Sequence, residues 1–283
     1  MSPHMHVGSA AWELPVSLTV AIALVAVVYM RGWLRLRSPS FQVIGGWRAV
    51  SFLLGVFLIW IAVASPLASG DAHLLTVHML QHLLLMSLAP PLIWLGEPVR
   101  PLLWGLPRRV GETGALAVIH CRPIQRIGTV LGHPAVCWTA ATAALAVWHV
   151  PAVFTLGMQS ETWHAIEHAS FLAAGLLFWW PVVQPWPKSS ADRGWSIVLY
   201  LFLATLPCDI LSGFLVFSER VAYPVYLSTH RHSSLSVLSD QQYAGALMWT
   251  AVTIIYLVAG MIVSTQLLSS SALVKDSRTA EAA

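Results

Sequence analysis

Apolar runs long enough to cross a bilayer recur along the chain, and charged residues fall between them rather than within them. A bilayer core asks for about 20 mostly apolar residues per helical span. Seven such blocks are read at 14–30, 47–64, 73–95, 134–150, 161–183, 195–217 and 241–268. The pattern predicts an all-α polytopic membrane protein, a bundle of seven transmembrane helices, with a segment 1–13 ahead of it and a tail 269–283 behind it. The fourth block is short, because Pro134 suits a first helical turn and the apolar run stops at His149-Val150-Pro151. Between the third and fourth blocks, arginines alternate with spaced apolar residues, which predicts short amphipathic helices lying along the membrane surface.

Composition agrees. With 57% hydrophobic and 10% charged residues and a mean hydropathy of +0.70 over 283 residues, the chain has too little polar surface to coat a soluble globule of its size. No Lys or Arg precedes the first block, so it lacks the basic region of a cleaved signal peptide and is read as a span.

Charge orients the bundle. Thirteen of the fifteen basic residues lie in alternate loops and the tail: Arg31, Arg35, Arg37 and Arg48; Arg100, Arg108, Arg109, Arg122 and Arg126; Lys188 and Arg193; Lys275 and Arg278. Arg220 and Arg231 remain for the other side. Basic loops stay in the cytoplasm, so the amino terminus is expected outside and the carboxyl terminus in the cytoplasm. Anionic headgroups suffice as partners for this charge, and no nucleic acid is implied. Cys121, Cys137 and Cys208 form no close pair, so no disulfide framework is expected.

The polar residues inside the blocks gather toward the outer ends. His78 and His82 are four apart on the third, as are His164 and His168 on the fifth, and residues four apart project from one helical face. Gln81 and Glu167 sit among them, His149 closes the fourth span, and His73 points away toward the interface. Two such pairs beside a carboxylate are the parts of a metal site. Imidazole suits copper, zinc, iron or nickel, and a thioether or thiolate shifts the preference toward cuprous copper. Met248 and Cys208 are the soft candidates at that depth, while Met79 is read as packing.

Pro207 should kink the sixth span, free the Leu203 carbonyl and open a cavity beside Cys208 and Asp209. An ionised Asp209 needs a partner at membrane depth, and histidine is expected to supply it, with Asp209 and Glu167 orienting the rings. His4, Met5 and His6 at the start, and His230 and His232 in the last outer loop, could also meet a metal, though an incidental disordered segment is the preferred reading of both. No phosphate loop, no H-E-x-x-H and no framed nucleophile occurs, so an enzyme is not expected.

The strings "HMLQHLLLMSLAPPLIWLGEP", "WHVPAVF", "WHAIEHASFLAAGLLFWWPVV", "YLFLATLPCDILSGFLVFSERVAYPVY" and "DQQYAGALMW" resemble the seven-span CtaG family of caa3-type cytochrome c oxidase assembly factors. The resemblance runs from about residue 47 to 265. It implies a multi-pass protein of the bacterial cytoplasmic membrane that helps mature haem-copper oxidases, by supplying copper to the catalytic subunit. Matched positions are His78, His82, His149, His164 and His168, accompanied by Glu167, Asp209, Asp240, Gln241 and Met248. The expectation is an outward-facing intramembrane site for Cu(I), loaded by a periplasmic or extracellular copper donor. Three alternatives stay open: a haem-binding membrane electron carrier, with one histidine on each face of the iron; a proton-coupled metal transporter, which requires polar residues through the inner half of the bundle; and a scaffold in which the histidines only hold helices together.

Overall fold

The computed structural model describes residues 14–37, 45–107, 122–183, 195–228 and 235–281. Among them the regular structure is helical, without strands: α1 (Val16–Leu36), α2 (Gly46–Ala64), α3 (Leu75–Leu95), α4 (Val99–Gly105), α5 (Arg122–Leu131), α6 (Pro134–Trp148), α7 (Pro151–Gln159), α8 (Glu161–Val183), α9 (Ser196–Phe217) and α10 (Val237–Glu281). Six of these are long and apolar enough to cross a membrane, and the bent pair α6–α7 makes a seventh if it counts as one span. The expected blocks therefore appear as helices. His4, Met5, His6, His230, His232 and Cys121 lie outside the described residues.

α3 is the axis of the bundle. Within its most apolar stretch 56% of residues are buried, against 17% for α1 and α10, whose outward faces are apolar and suited to lipid. Its helix is interrupted by a π turn at Leu84–Leu88. The cause lies just beyond: Pro90 and Pro91 carry no N–H, and a proline ring collides with the carbonyl four residues back. For Pro90 that carbonyl is Met86, and it is recovered as an acceptor by Trp179 Nε1 of α8 at 3.2 Å. Gly175 allows the approach, since a Cβ there would stand 2.6 Å from Met86 O and 2.8 Å from both Met86 Cα and Pro90 Cγ. Gly175→Ala is accordingly expected to cost about 1–3 kcal/mol of stability, read as a lowered unfolding temperature of the detergent-purified protein. An unchanged midpoint would show that the two helices can part there freely.

α6 ends at Trp148 with His149 as its cap, because Val150 before Pro151 is held extended at φ −66°, ψ 124°. The chain then turns 76° into α7, a helix that periodicity did not announce. At the opposite end of the bundle, Tyr29 Oη donates to Gly96 O at 2.8 Å, Arg35 donates to Trp104 O at 2.7 Å, and Arg48 pairs with Glu97, the residue at φ 46° where α3 has ended. α10 starts four residues before the expected block, which places Asp240 in its first turn. Its 45 residues extend about 68 Å, so the helix continues through the segment expected to be a tail.

Candidate metal centre

The residues that carry the chemistry sit on the first two turns of α3, and α3 is fixed there by another helix. Its first N–H groups have no intrahelical acceptor. Asp240 of α10 supplies one: Leu75 N donates to Oδ2 at 2.8 Å, while Thr76 N and Thr76 Oγ1 donate to Oδ1 at 3.2 and 2.7 Å. One turn later Gln81 Nε2 donates to the Ala62 carbonyl at the end of α2, at 3.0 Å. His78 and His82 thus project from a capped, tethered turn.

Both point at α8. His78 Nε2 and His82 Nε2 lie 3.4 and 3.3 Å from one oxygen, Glu167 Oε1, and neither contact has hydrogen-bond geometry. His164 Nε2 lies 3.2 Å from Asp71 Oδ2, again without that geometry. Ring centres are 4.3 Å apart for His78–His82, 4.2 Å for His164–His168, 5.6 Å for His78–His164 and 5.9 Å for His82–His168. The two pairs four apart therefore gather in one cluster. Ligand-capable atoms of Asp71, His78 and His164 lie within 4.8 Å of one another, as do those of His78, His82 and Glu167, so His78 belongs to both sets.

His78 and Glu167 are fully buried and His82 is 6% exposed. Polar atoms without partners at such depth are costly, and an ionised carboxylate more so, unless a cation or a proton compensates. Three imidazoles and two carboxylates, with the His168 ring beside them, can take that cation. Gly157 of α7 lets the Glu167 carboxylate sit there, since a Cβ at that position would meet Glu167 Oε2 at 2.8 Å. The rings also press on Phe154 and Phe171, at 5.0 Å from His78 and 4.0 Å from His82, a density that suits a small ion rather than a macrocycle.

The nest is roofed rather than open. Tyr223 Oη donates to His149 O at 3.2 Å and Tyr226 Oη to Asp71 O at 2.9 Å, while Phe154 packs on both tyrosine rings. Burial, reinforced by the nearby carboxylates, pushes the Tyr226 phenol well above its ordinary range, so it stays a neutral donor. The side chain of His164 keeps 25% exposure at the edge.

Other expected positions sort differently. His149 stands beside the nest, its ring 6.1 Å from that of His82. Asp209 is a correction: it makes no ion pair with a histidine among the described residues, and the carboxylates beside the rings are Glu167 and Asp71. Depth along α9 fixes its height but not its side; Asp209 is only partly buried, with Oδ1 unpartnered. Pro207 and Cys208 do line a cavity, together with Met248, but Asp209 does not. Asp240 acts as the cap of α3. Gln241 Oε1 accepts from Ala222 N at 2.7 Å, and its Nε2 donates to Leu215 O and Arg220 O at 3.3 and 3.2 Å, which seats the roof segment. Sequence reasoning missed Asp71, whose signal was a lone acid in the short loop before the first histidine pair, and it missed the contact of Met79 with His149.

The model of the cytochrome c oxidase caa3 assembly factor family, Caa3_CtaG, matches residues 27–270. Uncharacterized proteins of Mycobacterium bovis and Mycobacterium tuberculosis are each 25% identical over 251 residues, 84% of this chain and 36% of theirs. One from Mycobacterium leprae is 20% identical over 246 residues, 85% of this chain and 37% of its own. The chain thus spans little more than a third of the length of these relatives. No solved structure matches it. Helices, convergent histidines and a family match over most of its length agree, and the chain belongs to the cytochrome c oxidase caa3 assembly factor family.

Proposed function

We propose that this protein serves the assembly of a haem-copper cytochrome c oxidase by holding copper in the nest of His78, His82, His164, His168, Glu167 and Asp71 and giving it up to the catalytic subunit. The observation that carries this reading is the pair of imidazole nitrogens aimed at one buried carboxylate oxygen, none of the three with a hydrogen bond. Donor type alone admits several metals; the family's task selects copper, in the cuprous state in which thioethers nearby can share it. Copper is the cargo, and no substrate turnover is part of the reading. The close ring packing supports it over a haem carrier.

The nest lies at the end of the bundle away from Arg35, Arg48, Arg100 and Arg126. Basic loops favour the cytoplasm, which supports an extracytoplasmic nest in the bacterial plasma membrane, within reach of a periplasmic or extracellular copper donor. Metal analysis of the purified wild type beside His78→Asn/His164→Asn tests the proposal. The wild type is expected to keep copper through desalting and the double variant to lose it at unchanged helix content, with oxidase activity falling in membranes that carry the variant. Equal copper in both proteins would sink the ligand assignment.

A further inference from the structure

His149 Nδ1 lies 2.7 Å from the Leu145 carbonyl oxygen, an atom that can only accept. In the neutral ring the proton is therefore on Nδ1, and Nε2 keeps its lone pair. That lone pair meets Met79 Sδ at 3.4 Å, and a thioether has no proton to give. Two electron-pair donors thus face each other inside the bundle with no hydrogen between them, and Met79 is fully buried. A ring N–H held by a backbone carbonyl is how proteins orient a metal-binding histidine. With bonds of about 2.0 Å to nitrogen and about 2.3 Å to sulfur, the 3.4 Å separation subtends about 105° at an ion placed between them, an angle suited to three or four ligands.

The pair borders a small cavity whose wall also carries His82, Met86, Cys208 and Met248. Sulfur donors favour cuprous copper over harder cations. We propose that His149 and Met79, with Met248 and Cys208 in the same wall, form a second site for Cu(I), which receives the ion from the nest through His82. His82 touches both, with Nε2 against Glu167 and its side chain lining the cavity. The relay rests on the copper reading of the nest for its supply, while its own donor set is separate. Bound copper would then pass from the nitrogen and oxygen ligands of the nest to a sulfur-bearing site beside it, as Cu(I) throughout.

Anaerobic titration of the full chain with Cu(I), followed by X-ray absorption, tests this. The wild type is expected to take two equivalents, the second with sulfur in its shell. Met79→Leu conserves volume and apolar character, so the fold is kept. It is expected to weaken the second equivalent at least about tenfold while the first stays. His78→Asn is expected to weaken the first instead. One equivalent with nitrogen and oxygen only, or an unchanged sulfur shell and affinity in Met79→Leu, overturns the second site and leaves the nest standing. A wild type that binds no copper overturns both.

Discussion

Asp240→Ala is expected to lower stability on the order of 3 kcal/mol, the largest loss from any single change outside the histidines. The carboxylate is 1% exposed and takes three hydrogen bonds from the first turn of α3. An ordinary helix cap is worth about 0.5–2 kcal/mol. Here one carboxylate takes three hydrogen bonds, one of them fully buried, and truncation would leave all three donors without that acceptor, so the upper end of that range is exceeded. Thr76→Val removes only the hydroxyl contact and should cost about 1 kcal/mol. Thermal unfolding in detergent, read by tryptophan fluorescence, ranks the two. Fraying of that turn also loosens His78, so the copper affinity of the folded Asp240→Ala fraction should fall as well. A variant that unfolds within about 0.5 kcal/mol of wild type would show that α3 needs no cap from α10.

Glu167→Gln separates a metal site from a merely structural cluster. Copper at 100 times its dissociation constant stabilises a folded protein by about 2.7 kcal/mol. If losing the carboxylate weakens binding about 100-fold, the same copper concentration adds only about 0.4 kcal/mol. The metal-free variant should meanwhile be as stable as wild type or more so, because a buried charge without hydrogen bonds has been replaced by a neutral amide of the same shape. Were the histidines there only to bind the carboxylate, breaking that pair would cost about 3–5 kcal/mol with or without metal. Unfolding curves of both proteins with and without copper decide, and a copper increment that survives in Glu167→Gln counts against the nest.

Much of the bundle was legible because hydrophobic period and length report spans directly, and much of the nest because a spacing of four fixes a shared face. His78 with His82, and His164 with His168, needed no knowledge of the rest of the chain. Partnerships between distant segments were not legible. Asp71 meets His164 across 93 positions, and Asp240 caps residues 164 and 165 positions away. Equal depth suggested Asp209 as a histidine partner, but depth leaves the angle around the helix free. α7 escaped notice because its nine residues are too few to establish a period beside the longer spans. The Pro90-Pro91 pair was a visible sign of the π turn, although its effect depends on Trp179 arriving to take the freed carbonyl.

The tyrosine roof bears on how cargo could leave. Tyr223 and Tyr226 latch the segment after α9 onto His149 and Asp71, and Gln241 bolts the same segment to α10. An ion beneath would meet bulk water only past the edge at His164, so its residence time would follow how often the latch lifts as well as how tightly imidazole grips. A recipient subunit that unfastens those hydroxyls on docking would trigger release only where a copper-poor acceptor is already in place.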